Sequence, residues 1–262
     1  MIEELIEKIL RISGDNEISL ALLVGTMLVF ATFLGAFSAL FYKKAPKYGI
    51  ELSLSFAAGI MLFAGFVSLI LPSIKLTDDF LSTSLGIFLG ILMILAIDLL
   101  FPHEHVVKGY EGPEHFRRIK VVWLIIIAVL IHNIPEGLAV GTLLVFDAEK
   151  GLMTAIGIAI QDVPEGVIVA LPIAVLGKRV SKAITLGLLS GISEMFMVVL
   201  GAFLFSYFSY MLPYGLAFAG GAMLYIVVKE MIPEIYRKEE NALIVTFGFF
   251  SGFYLMLFLE SI

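Results

Sequence analysis

The sequence predicts an all-α polytopic membrane protein with eight transmembrane helices. Three observations carry that prediction. The chain is 60% hydrophobic and only 15% charged, where a soluble domain of this size carries about 25% charge. Its mean hydropathy is +1.03, and several apolar runs exceed the ~20 residues that cross a bilayer as helix. The apolar residues do not alternate with polar ones, which excludes an outer-membrane barrel. There are no cysteines, so disulfides and thiolate metal ligation are both excluded. A net charge of −6 gives no reason to expect nucleic acid as a partner.

Residues 1–17 carry Glu3, Glu4 and Glu7 among Ile and Leu. They lack the basic start and small-residue cleavage site of a signal peptide, and predict a short amphipathic helix at the membrane surface. The spans follow at about 18–42, 49–72, 81–101, 119–145, 151–176, 180–207, 210–231 and 241–260. A short polar loop around Asp147-Ala148-Glu149-Lys150 parts the fourth from the fifth, and 102–118 is read as a short cytoplasmic loop containing histidines.

The basic residues set the orientation. Lys43, Lys44, Lys47, Lys108, Arg117, Arg118, Lys120, Lys178, Arg179, Lys182, Lys229, Arg237 and Lys238 fall in the odd-numbered loops or at their edges. Only Lys8, Arg11, Lys75 and Lys150 fall on the other side. The positive-inside rule puts the odd loops in the cytoplasm and both termini outside, across the cytoplasmic (inner) membrane.

The chain also repeats itself. Leu34-Gly35-Ala36-Phe37 in the first span recurs as Leu200-Gly201-Ala202-Phe203 in the sixth. Phe56 to Leu62 in the second span recurs as Phe218 to Leu224 in the seventh, with Pro72 and Pro233 following. Spans 1–3 thus match spans 6–8. The copies are an odd number of spans apart, so they run through the membrane in opposite directions, as in the inverted repeats of secondary transporters.

Between the repeats one phrase is written twice: His132-Asn133-Ile134-Pro135-Glu136-Gly137 and Gln161-Asp162-Val163-Pro164-Glu165-Gly166. In each copy the first two residues stand four and three before the Glu, so all three side chains share one helix face. Each Pro lacks an N–H and cannot bond the carbonyl of Ile131 or Ile160, which predicts a kink and a freed carbonyl.

Ionisable groups within spans are expensive and mark function. Here they are Asp98, His132, Glu136, Asp162, Glu165, Glu194 and Glu230. Glu136, Asp162, Glu165 and Glu194 are the central four, and no basic residue stands mid-membrane to neutralise them. They are either protonated or surrounded by bound cations. Counted from the span ends, His132, Gln161 and Glu194 reach the same depth. An oxygen-rich set with one imidazole suits a divalent first-row ion such as Zn²⁺, Fe²⁺ or Mn²⁺. Other readings stand beside this one. Asp98 and Glu230 lie near cytoplasmic span ends, where interfacial charges are ordinary. His103-Glu104-His105 with His115 reads equally as a weak metal-docking patch or a solvated loop. Glu194, next to Ser193, could instead bond a neighbouring helix.

With these residues in view, the whole chain resembles the ZIP (Zrt/Irt-like) family of divalent metal transporters, in particular its bacterial GufA-type branch. The motifs that carry the likeness are His132 to Gly137 and Gln161 to Gly166. The resemblance implies a single transporter domain over 1–262, with spans arranged 3+2+3 and Zn²⁺ (or Fe²⁺, Mn²⁺ or Cd²⁺) moved into the cytoplasm without an organic cofactor. It implies one ion held by His132, Glu136, Gln161 and Glu165, and a second by Asn133, Glu136, Asp162, Glu165 and Glu194. Asp98, His103 and Glu230 would line the release path, and the partners would be the bilayer and a second copy in a homodimer. The chain departs from many members in having Gln161 where they have His, and in its short loop with few histidines. The alternative is a membrane-embedded metalloenzyme such as an intramembrane hydrolase. Against it, the chain has no His-Glu-x-x-His phrase and no second mid-membrane His. A proton-coupled carrier of an organic solute would need a basic or substrate-directed aromatic group at the midplane.

Overall fold

The computed structural model describes residues 2–262 apart from 15, 39–40, 42–47, 78, 106–108, 112–120, 178–179 and 238. The described residues hold eight helical spans long and apolar enough to cross a membrane. A short surface helix, α1 (Ile2–Ser13), precedes them, and its Ile6 is buried against the bundle. The first span is α2 (Glu17–Ser38), opened by Asn16, whose side-chain oxygen accepts from the amides of Ile18 and Ser19. The second runs from α3 (Gly49–Phe63) through a π-helical segment, Ala64–Ile70, into α4 (Leu71–Thr77). The third is α5 (Phe80–Leu100).

A two-stranded antiparallel hairpin follows, β1 (His103–His105) and β2 (Gly109–Glu111). The fourth to sixth spans are α6 (Val121–Phe146), α7 (Ala148–Gly177) and α8 (Val180–Tyr207). The seventh is α9 (Leu212–Ile226), a second π-helical segment Val227–Met231, and α10 (Ile232–Ile235). The eighth is α11 (Ala242–Glu260).

Three expectations change in detail. The second and seventh spans run past Pro72 and Pro233, beyond the ends expected at about 72 and 231. In each, the π-helical segment ends two residues before the Pro, so the hydrogen-bond ladder has already shifted where the Pro N–H is missing. The polar loop expected at 147–150 shrinks to Asp147, whose carboxylate caps the first turn of α7 by accepting from the Lys150 amide at 3.2 Å. The stretch expected to be an open loop after span 3 begins as the hairpin, and His103 within it is buried against α6. His115 and most basic loop residues (Lys43, Lys44, Lys47, Lys108, Arg117, Arg118, Lys120, Lys178, Arg179 and Lys238) lie outside the described residues.

The helices meet through glycine. A Cβ at Gly35 on α2 would fall on the carbonyl oxygen of Val163 on α7, and one at Gly166 on α7 would fall on that of Thr32 on α2. Gly137 and Gly141 on α6 meet the backbone of α8 at Glu194 and Val198 in the same way. Such small-residue faces let backbones approach to van der Waals contact. The main pairings are α2 with α7 and α8, α6 with α7, α8 and α9, α3 with α7 and α11, and α5 with α9. Phe88, Phe196 and Phe247 are exposed on the outside, the apolar surface of a multi-pass membrane protein.

Two outcomes follow. Gly141→Leu is expected to destabilise the bundle by about 3 kcal/mol through overpacking. Gly65→Ala, where the nearest atom would stand 3.4 Å away, is expected to be nearly silent. Thermal unfolding in detergent checks both. At the surface, Asp79 caps α5 by accepting from the amides of Leu81 and Ser82 at 3.1 and 3.0 Å, and from the Ser82 hydroxyl. The Ser82 hydroxyl first, then the two amides, hold its carboxyl below the usual aspartate range. A depressed value stabilises the fold above the unfolded carboxyl's range and is lost as pH falls through the folded value. The gap in melting midpoint between wild type and Asp79→Asn is therefore expected at neutral pH and to close on acidification. A gap that widened on acidification would remove Asp79 from this role.

Candidate metal centre

The duplicated phrase sits on α6 and α7, and both helices continue through their prolines, Pro135 and Pro164. Each glycine that follows a glutamate admits a neighbouring helix. Gly137 brings the α8 backbone at Glu194 beside Glu136, and Gly166 brings α2 beside Glu165. The carboxylates are thereby sealed between helices.

Ligand-type oxygens of Glu136, Asp162 and Glu165 lie within 4.8 Å of one another, and all three residues are buried. Gln161 Nε2 donates to Glu136 Oε1 at 2.6 Å. Four oxygens here have no hydrogen-bond partner among the described residues: Glu136 Oε2, Gln161 Oε1, Asp162 Oδ2 and Glu194 Oε1. Buried polar atoms are normally satisfied, so this group of unpaired acceptors makes the cluster a candidate cation site. The amide nitrogen of Asn133 is engaged by α8. It donates to the carbonyl and the hydroxyl oxygen of Ser190 at 2.9 and 3.0 Å, pinning α6 to α8.

His132 faces a different partner. Its Nε2 lies 3.0 Å from Glu230 Oε2 on the second π-helical segment. Sequence reasoning placed these two residues in separate sets, and the fold brings them together. Glu230 in turn shares a buried group with Asp98 and His103, whose ligand atoms lie within 4.8 Å of one another. His103 Nδ1 is 3.0 Å from the Phe101 carbonyl oxygen, and its Nε2 is 3.9 Å from Asp98 Oδ1. His132, one turn before Glu136 on α6 and 13% exposed, thus reaches through Glu230 the group that holds His103. Lys229 Nζ joins the lower group at 2.9 Å from Asp98 Oδ2.

Three participants went unnoticed in the sequence. Glu234, on α10, is buried close beyond Pro233. Ser190 was passed over as one serine in an apolar helix. Glu260 closes α11, where its Oε2 accepts from Ser68 Oγ at 3.1 Å and its Oε1 lies 4.0 Å from Lys150 Nζ. A cavity of about 470 Å³ opens there, lined by Glu7, Asp147, Glu149 and Glu260 among others. A signal for Glu260 was present. When Gly86 and Gly90 of span 3 are aligned with Gly248 and Gly252 of span 8, Asp98 falls on Glu260, and the same offset sets Glu230 on Ser68.

Comparison with known proteins agrees with this picture. Residues 103–260 match the sequence model of the family described as ZIP Zinc transporter. The zinc transporter ZIPB of Bordetella bronchiseptica is 36% identical over 95% of this chain and 84% of its own length. The zinc transporter GufA of Myxococcus xanthus is 38% identical over 92% of this chain and 96% of its own. The zinc transporter ZupT of Chlorobaculum parvum is 30% identical over 87% and 90%.

Proposed function

The chain belongs to the ZIP zinc transporter family, and from that premise we propose that it carries divalent transition-metal ions, Zn²⁺ first, across the inner membrane into the cytoplasm. A family of transporters leaves no place for the embedded-metalloenzyme alternative. One observation carries the reading: three carboxylates within 4.8 Å of one another, sealed in the middle of a helical bundle beside unpaired oxygens. Only a cation or protons can compensate such a group.

In this reading the whole chain is one transporter domain. One ion is held by His132, Glu136, Gln161 and Glu165, and a second by Asn133, Glu136, Asp162, Glu165 and Glu194. The free oxygens of Glu136, Gln161, Asp162 and Glu194 support these sets. For His132 to ligate, its imidazole turns from Glu230, and the same hydrogen bond then receives it as the ion leaves toward Asp98 and His103. Lys and Arg in the odd-numbered loops support a cytoplasmic exit with both termini outside.

A 3+2+3 inverted repeat is supported by the helix pairings. Exchanging spans 1, 2 and 3 with 6, 7 and 8, and span 4 with 5, turns the main pairs into one another. The α5–α9 contact becomes α11–α3, and α6–α8 becomes α7–α2. Both π-helical segments map onto each other as well. Rocking of such repeats around a fixed midplane site is the motion that gives alternating access.

The test is Zn²⁺ uptake by proteoliposomes containing the purified chain and an enclosed zinc-sensitive dye. Saturable uptake above protein-free vesicles is expected. No uptake in either orientation would overturn the proposal.

A further inference from the structure

The lower group contains a positive charge that ligation does not require. Lys229 stands directly before Glu230 on the π-helical segment, and its Nζ lies 2.9 Å from Asp98 Oδ2. The other oxygen of that carboxylate, Asp98 Oδ1, has no hydrogen-bond partner among the described residues and faces His103 Nε2 at 3.9 Å. Asp98, His103 and Glu230 are all buried, whereas the Lys229 side chain is 33% exposed. The ammonium therefore sits where the buried group meets the outside. The Tyr225 ring lies 5.9 Å from the same Nζ, so the ammonium stands against an aromatic face while it pairs with Asp98.

We infer that Lys229 is a tethered counter-ion, which occupies the Asp98 carboxylate when no metal is there and must be displaced for a divalent ion to bind. The inference rests on the transport reading for its purpose and on the ion pair for its content. Two carboxylates and one ammonium leave a single negative charge around His103. A divalent ion binding to Asp98 with the ammonium in place would meet a like charge at close range, which is unfavourable at low dielectric. Lys carries a compact charge on a flexible stem, so it can swing out as the ion arrives and return as it leaves. A group of one imidazole and two carboxylates would otherwise hold Zn²⁺ well. With its own competitor attached, it holds the ion weakly and lets it go.

The test is equilibrium dialysis of Zn²⁺ against the purified full chain, with Lys229→Met and Lys229→Arg beside wild type. Removing the competing charge in Lys229→Met is expected to tighten the weakest class of site about tenfold. Lys229→Arg, which keeps the charge, is expected to match wild type. In an Asp98→Asn background Lys229→Met is expected to add nothing, because the shared carboxylate is gone. In proteoliposomes Lys229→Met is expected to lower the maximal uptake rate together with the half-saturating Zn²⁺ concentration. Unchanged or weaker binding in Lys229→Met, with Glu136-dependent binding intact as proof of folding, overturns the inference and leaves Lys229 as a structural tie. Lys229→Gln replaces Met if that variant does not fold. Dialysis needs no transport, so absent uptake in wild type would defeat the transport reading without touching this result.

Discussion

Glu136→Gln is expected to abolish Zn²⁺ binding at the midplane while making the metal-free protein more stable. Glu136 is fully buried, stands in both proposed ligand sets, and accepts from Gln161 at 2.6 Å with its second oxygen unpaired. A glutamine there removes one negative charge and presents N–H groups to the amide of Gln161. Losing one partner of a buried charge pair costs about 3–5 kcal/mol, so affinity is expected to fall about 100-fold or more. The stability of the empty protein moves the other way. Each ionised pair among three carboxylates within 4.8 Å repels by about 3 kcal/mol at an effective dielectric of ~20, and the substitution removes this repulsion. Thermal unfolding with and without Zn²⁺ separates the two effects. Wild type should gain midpoint on adding metal, as any ligand of the folded state requires. Glu136→Gln should start higher and gain nothing. A variant that still gained as much as wild type would remove Glu136 from the site.

Gln161→His is expected to tighten Zn²⁺ binding by about tenfold and to sharpen discrimination against Mn²⁺. An amide oxygen is a weaker ligand than an imidazole for borderline metals, and the harder Mn²⁺ gains less from the exchange. Gln161 now does two things: its N–H₂ orients Glu136, and its Oε1 stands unpaired. Imidazole can do both, donating from one nitrogen to the carboxylate and ligating through the other, which is the arrangement that stiffens metal-bound histidines. Competition dialysis of Zn²⁺ against Mn²⁺ reads the change. Equal losses for both metals would mean that the ring does not fit between α6 and α7.

Much of this was legible in the chain. Composition and run length located the eight spans, because a bilayer imposes both. Spacing placed His132, Asn133 and Glu136 within about one turn of α6, and Gln161, Asp162 and Glu165 within about one turn of α7, because that proximity is a local property of the helix. The run of the second and seventh spans past Pro72 and Pro233 was missed, since a π-helical segment leaves no composition signal. The hairpin at His103 was missed because its pairing with Gly109–Glu111 is set by the turn and by the helix beneath it. Glu260 was readable only through the glycine alignment of spans 3 and 8.

The sequence by itself determined the helical membrane class, the duplicated phrase and the repeated strings around it. Each of these depends on neighbours a few residues apart or on total apolar length. Only the tertiary structure decided which of these side chains meet. His132 pairs with Glu230, Lys229 pairs with Asp98, and the amide nitrogen of Asn133 is tied to Ser190. Such pairings depend on how helices slide and rotate against each other. Glycine contacts set the slide, and an inserted π-helical residue turns everything beyond it by about 100°. The asymmetry between His132 and Gln161 was visible in the letters, but the partners that give it chemical meaning lie across helix interfaces.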